Sequence, residues 1–181
     1  PLWVCKKMCD YADETWNGKA SWQKYIDTRV LEITCGEAPF LASRYDVETG
    51  EVLPVSERIG LLDRKLRAVN ENTRTEEEWL KWAFRAFGAT YGYEFQGDNL
   101  LISRVNLLMT FEEYLWERWR RKPTRREHEK AANIIAWNIF QMDGLRGTIP
   151  YGTAEEELQE IDWFGMLDSD TEKETQPRCL V

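Results

Sequence analysis

The chain has 181 residues, 43% apolar and 31% charged, enough for one domain with a real core and too well patterned for a chain disordered throughout. Its 32 acidic residues outnumber 24 basic ones, and the net charge of −8 argues against a surface whose main task is gripping nucleic-acid phosphates. No apolar run reaches the roughly 18 residues of a membrane span and no secretory leader is recognisable, so the sequence reads as cytoplasmic, with no membrane partner.

In chain order, residues 2–16 carry Val4, Met8, Tyr11 and Ala12 at helical spacing, and Asn17-Gly18 breaks the pattern. Ser21 caps a short second helix. Residues 30–34 (VLEIT) read as a strand, Cys35-Gly36-Glu37 as a turn, and Ala38 onward as a helix through Arg44 and Tyr45. Residues 46–54 have turn chemistry and form a loop or small hairpin. Residues 56–70 are helical, with Ile59, Leu62, Leu66 and Val69 on one stripe. Thr75 and Glu78 form a capping box for a helix reaching Phe87, ended by Gly88.

Residues 89–94 (ATYGYE) read as a second strand. Asp98 caps a long helix over residues 99–119, and Pro123 ends that element. Thr124 and Glu127 box a helix to Trp137; residues 138–142 (NIFQM) form a third strand, and Asp143-Gly144 turns the chain. Residues 151–181 read as an acidic, loop-like tail.

This order, strand and helix alternating, is that of a doubly wound parallel α/β sheet, in which ligands sit beyond the carboxyl ends of the strands. Those ends carry Glu32 and Cys35-Gly36-Glu37, then Glu94, then Asp143. Glycine after a strand admits close backbone approach. A carboxylate ending the second strand can accept two ribose hydroxyls, and one ending the third can accept the exocyclic amine of a purine. Together they describe a nucleoside-shaped site; singly, each is more often a turn or a surface residue.

Blander readings hold elsewhere. Cys5, Cys9, Cys35 and Cys179 match no zinc spacing and are read as reduced thiols, with no metal site. The basic run at residues 118–126 is a solvated helix end and loop. His128 is a surface residue, Trp79, Trp82 and Phe87 are core, and Asp162, Asp168 and Asp170 are solvated tail.

Four segments carry a resemblance. LEITCGEAPFLASRYD resembles the S-adenosylmethionine motif of adenine-N6-specific DNA methyltransferases, and PLWVCKKMCD is similar to the segment preceding it in those enzymes. TYGYEFQGDNLLISRVNLL resembles their Y-G-x-E and following helix, and NIFQMDGL their third strand end. The same segments resemble the methylase subunits of restriction–modification systems. The resemblance implies a partial Rossmann-like methyltransferase fold over residues 1–150 with inserted helices near residues 56–87. It also implies S-adenosyl-L-methionine as cofactor.

By the same resemblance Thr34, Cys35, Gly36 and Glu37 line the methionine part, and Trp3 and Val4 close that end. Glu94 holds the ribose; Asp143, with Met142 beside it, contacts the adenine. DNA is the implied substrate of the parent enzyme, and a specificity or restriction subunit an implied partner. The family's catalytic Asn/Asp-Pro-Pro-Tyr/Phe tetrapeptide does not occur in the sequence, so no catalytic residue is assigned. The implied place of the tetrapeptide is beyond the third strand, the parent enzyme being the methyltransferase and these residues alone inactive. A truncated methylase-like module that binds another subunit, or an RNA methyltransferase fragment, stays open as an alternative.

Overall fold

A computed structural model describes residues 2–14 and 21–150. The expectations for the tail, including Asp162, Asp168, Asp170 and Cys179, lie outside the described residues. Six α-helices and three β-strands are found among them: α1 (Leu2–Glu14), α2 (Trp22–Asp27), β1 (Val30–Ile33), α3 (Leu61–Asn72), α4 (Glu76–Gly88), β2 (Thr90–Glu94), α5 (Gly97–Trp119), α6 (Arg125–Asn138) and β3 (Ile139–Gln141). The strands form one parallel sheet in the order β1-β2-β3, with Val30 opposite Thr90 and Gly92 opposite Ile139. The fold is therefore mixed α/β, and each crossover is a helix pair.

Local chemistry accounts for most boundaries. Thr124 Oγ1 accepts the Glu127 amide while the Glu127 carboxylate accepts the Thr124 amide, the reciprocal box expected at the start of α6. Thr75 caps α4 through the Glu78 amide, but the Glu78 carboxylate accepts from Arg74 instead of Thr75, so only half of that box forms. Asp98 does not cap α5. The helix begins at Gly97, two residues earlier than expected, after Gln96, whose amide is taken by Glu94 Oε1 at 2.9 Å.

The helix expected over residues 38–45 is absent: residues 39–41 make a turn and Tyr45 bridges to Val52. Ala38 adopts a left-handed backbone (φ 64°), which breaks helical continuation. The carbonyls of Phe40 and Leu41 then accept from the Leu61 and Leu62 amides, so this segment caps α3 in place of forming a helix. Asp63 completes the junction: it is fully buried, and its Oδ2 accepts the Ser43 amide at 2.8 Å and the Gly60 amide at 3.2 Å. For the same reason the helix expected from residue 56 begins only at Leu61, after a separate single turn at Val55–Glu57.

The core lies between the helices and one sheet face. Phe111 of α5 is fully buried and meets the rings of Trp79, Phe84 and Phe87 from α4. Such ring pairs contribute about 0.5–1.5 kcal/mol each beyond their buried area. The Asn138 amide donates to the carbonyls of Phe87, Gly88 and Thr90, tying the start of β3 to the α4–β2 junction. On the other sheet face Leu31 and Ile33 are exposed and Tyr91, Tyr93 and Phe140 half-buried, so that face is the less covered one.

Candidate functional site

The strand register brings the ends of β1 and β2 side by side, with Ile33 opposite Tyr93. Beyond Ile33 the backbone is left-handed at alternate residues: Thr34 (φ 66°), Gly36 (φ 55°) and Ala38 (φ 64°). Glycine adopts this conformation freely, whereas β-branched Thr34 does so against its steric preference, so the loop is held by its contacts. Those contacts are the Cys35 amide on the Tyr93 carbonyl and the Ala38 amide on the Cys35 carbonyl, both 2.7 Å.

Glu94 ends β2 at 7% exposure. Its Oε2 accepts the Gly36 amide at 2.7 Å and its Oε1 the Gln96 amide. The carboxylate thus joins the loop after β1 to the turn after β2. A carboxylate has about four acceptor positions, so two remain after these bonds.

Glu32 stands opposite Gly92, and its Oε2 is buried without a hydrogen-bond partner. Burial first, and then the charge of Glu94, push its carboxyl up to about 8. Burial and the same two carboxylates push the Cys35 thiol up to about 12, and burial raises Cys9 to about 12. Protonated, buried thiols are poor nucleophiles, so cysteine chemistry is disfavoured here.

A cavity of about 320 Å³ opens between α1 and β1, lined by Met8, Cys9 and Ala12 of α1, residues 30–34, Phe40 and Leu61. Glu32 and Thr34 both face it. Trp3, expected at this end, is instead 68% exposed, and Val4 is half-buried; the α1 residues at the cavity lie further along the helix. Helix α1 is seated by its Cys5, Cys9 and Asp13 face, with Asp13 accepting the Tyr25 hydroxyl at 2.6 Å and pairing with Arg64.

Glu37 turns toward Tyr45, whose hydroxyl donates to Oε2, and its carbonyl accepts from Asn106. Met142 is buried, and its amide donates to the Glu94 carbonyl at 3.1 Å. Asp143 Oδ1 accepts the Leu145 and Arg146 amides, both at 3.1 Å, so its carboxylate shapes the turn that follows β3. That turn crosses to β1: a Cβ built on Gly144 would lie 2.4 Å from Ile33 Cγ2. Thr34, Cys35, Gly36, Glu94, Met142 and Asp143 therefore gather at one end of the sheet, while Glu37 is tied off beside it.

Two features escaped the sequence reading. Gly92 leaves room for Cys35, whose Sγ would lie 3.0 Å from a Cβ there; its inward place between Tyr91 and Tyr93 was the available signal. Met8, Cys9 and Ala12 share a helical face, but nothing in their spacing names a cavity.

Three of the six cations in the basic run at residues 118–126 are paired with carboxylates. Arg121 pairs with Glu76 and Glu127, Arg120 with Glu117, and Arg125 with Glu129. Half-buried His128 meets Glu112 at 3.0 Å. Among the described residues no helix is long and apolar enough to cross a membrane. No protein-family model, no curated protein and no solved structure matches the chain.

Proposed function

We propose that the paired ends of β1 and β2 bind S-adenosyl-L-methionine, and that the chain is the cofactor-binding part of a DNA adenine-N6 methyltransferase of a restriction–modification system. The observation that carries the cofactor reading is the pair of carboxylates on adjacent parallel strands, Glu94 ending β2 and Glu32 one residue inside the end of β1, with a buried oxygen of Glu32 left without a partner. A ligand that brings positive charge and hydroxyl donors suits such a pair, because it stabilises charged Glu32 and uses the free acceptor positions of Glu94. S-adenosylmethionine has both features, in its sulfonium and ammonium groups and its ribose.

In this reading Glu94 takes the ribose hydroxyls while keeping the Gly36 loop in place, Glu32 faces the cationic end, and Met142 packs beside the site. The cofactor supplies a methyl group on a positively charged sulfur. The choice of DNA adenine as acceptor rests on the four-segment resemblance. No Asn-Pro-Pro-Tyr string occurs in these 181 residues, so binding, and not transfer, is the activity expected of them.

The test is calorimetric titration with S-adenosylmethionine, S-adenosylhomocysteine and ATP. Saturable binding of the first two but not ATP, weakened tenfold or more by Glu94→Gln, supports the reading. No binding to folded protein, or equal binding of ATP, overturns it.

A further inference from the structure

A second cavity, of about 490 Å³, lies between the loop at residues 52–55 and the C-terminal half of α5, away from the strand ends. Ligand pockets commonly span about 300–1,000 Å³. Its apolar walls are Val52, Pro54, Val55, Trp116 and Pro123. Trp116 is 50% and Val52 66% exposed, a large apolar area for a polar surface to leave open.

Among the charged groups that line this cavity, the Arg58 guanidinium keeps an unmet donor. Arg58 lines it with a side chain only 3% exposed. Its Nη2 pairs with Glu113 at 2.6 Å and its Nε donates to the Leu53 carbonyl at 3.2 Å, but its Nη1 is buried without a partner. Glu113 is shared with a second guanidinium, since Arg44 also binds it at 2.6 Å. Two arginines thus face one carboxylate. Lys122 also lines the cavity, and its ammonium has no ion pair among the described residues. The carboxylates at the mouth are engaged elsewhere, Glu112 with His128 and Glu117 with Arg120.

We propose that this cavity binds a small apolar carboxylic acid, its carboxylate toward Arg58 Nη1 and Lys122 and its apolar body against Trp116, Pro54 and Val52. A buried cationic donor without an acceptor favours an ionised acceptor over a neutral one, because charge-assisted bonds are roughly twice as strong. The apolar walls select a body of aromatic or branched aliphatic character.

The proposal is independent of the cofactor reading and is tested on the full chain with 1-naphthylacetate and its neutral counterpart 1-naphthylacetamide, by calorimetry. The acid is expected to saturate one site, with the amide at least tenfold weaker. Lys122→Met should weaken the acid severalfold and leave the amide unchanged, while Trp116→Ala should weaken both. Both substitutions are at the cavity's open side, and circular dichroism checks that each variant is folded. Arg58→Lys, which keeps the charge toward Glu113, should also weaken the acid. Equal affinity for acid and amide, no binding of either, or acid binding untouched by both Lys122→Met and Trp116→Ala overturns the proposal. S-adenosylmethionine should not compete with the acid; competition would place the acid at the strand ends and likewise overturn it.

Discussion

Glu94 Oε2 accepts the amide of Gly36 at 2.7 Å across 58 residues of chain, and through this bond the end of β2 sets the shape of the loop after β1. A residue expected from the sequence to be a ligand contact is also a structural tie. Glu94→Gln can keep one of its two backbone donors, Gly36 or Gln96, and must turn an NH₂ toward the other. The expected loss is about 1–3 kcal/mol of stability together with weakened cofactor binding. Denaturant unfolding read beside the titration checks this; unchanged stability would mean that the Gly36 loop holds its shape without Glu94.

Glu32 gives the chain a characteristic pH response. Its carboxyl stands at about 8 in the folded protein against an ordinary value of 4.5, so the folded state holds a proton that the unfolded chain releases. Its contribution is fully present below about pH 4.5 and is lost as pH rises through about 8. Lys65 acts in the opposite sense. Burial lowers its ammonium from 10.5 to about 8, so its contribution is present above about 10.5 and is lost as pH falls through about 8. Thermal unfolding from pH 5 to 8 should therefore show falling stability from Glu32, and Glu32→Gln should flatten that fall. An equal slope in the variant would contradict the burial of Glu32 described here.

Gly60 is expected to tolerate no side chain. A Cβ there would sit 2.4 Å from the Leu41 carbonyl oxygen and 2.7 Å from Asp63 Oδ2, and backbone cannot step aside as a side chain tip can. Gly60→Ala should cost about 3 kcal/mol. Gly88→Ala is the control, since nothing lies within 4 Å of a Cβ at that position. A denaturant midpoint unchanged in Gly60→Ala would disprove the close approach.

The pairing of Arg120, Arg121 and Arg125 with carboxylates predicts weak nucleic-acid binding by these residues. Replacing Arg121 by Met should lower stability by about 1 kcal/mol, since its partners are partly exposed, and should leave duplex DNA affinity unchanged. Fluorescence anisotropy at two salt concentrations checks this. A salt-dependent loss of affinity in the variant would reassign Arg121 to phosphate contact.

Much of the fold was legible because its signals are local. The Thr124–Glu127 box, the stripe through Leu62, Leu66 and Val69, and the short β-branched run ending at Ile33 each name an element without reference to the rest of the chain. The segment from Ala38 to Tyr45 was misread because its fate is decided at a distance: Phe40 and Leu41 spend their carbonyls on α3, and Asp63 holds Ser43. The site was legible to the same extent. Gly36, Cys35 and Glu94 could be placed at strand ends from sequence, and Asp143-Gly144 was legible as a turn, but the pairing of Glu37 with Tyr45 depends on a neighbour that spacing does not reveal. Glu32 is the clearest case: its place near the end of β1 was legible, but the burial of its Oε2 without a partner depends on packing that spacing does not reveal.

The sheet contains no hairpin, and this governs how the molecule can fold. Val30 must find Thr90, and Gly92 must find Ile139, each across a helix pair. Loop closure over such spans costs entropy before any strand bond repays it, so no two strands can pair early by proximity alone. The aromatic contacts of Phe111 with α4, and the α3 junction closed by Asp63, bring the ends of those spans together. Helix docking is therefore expected to precede strand pairing, which leaves the site at the strand ends to form late.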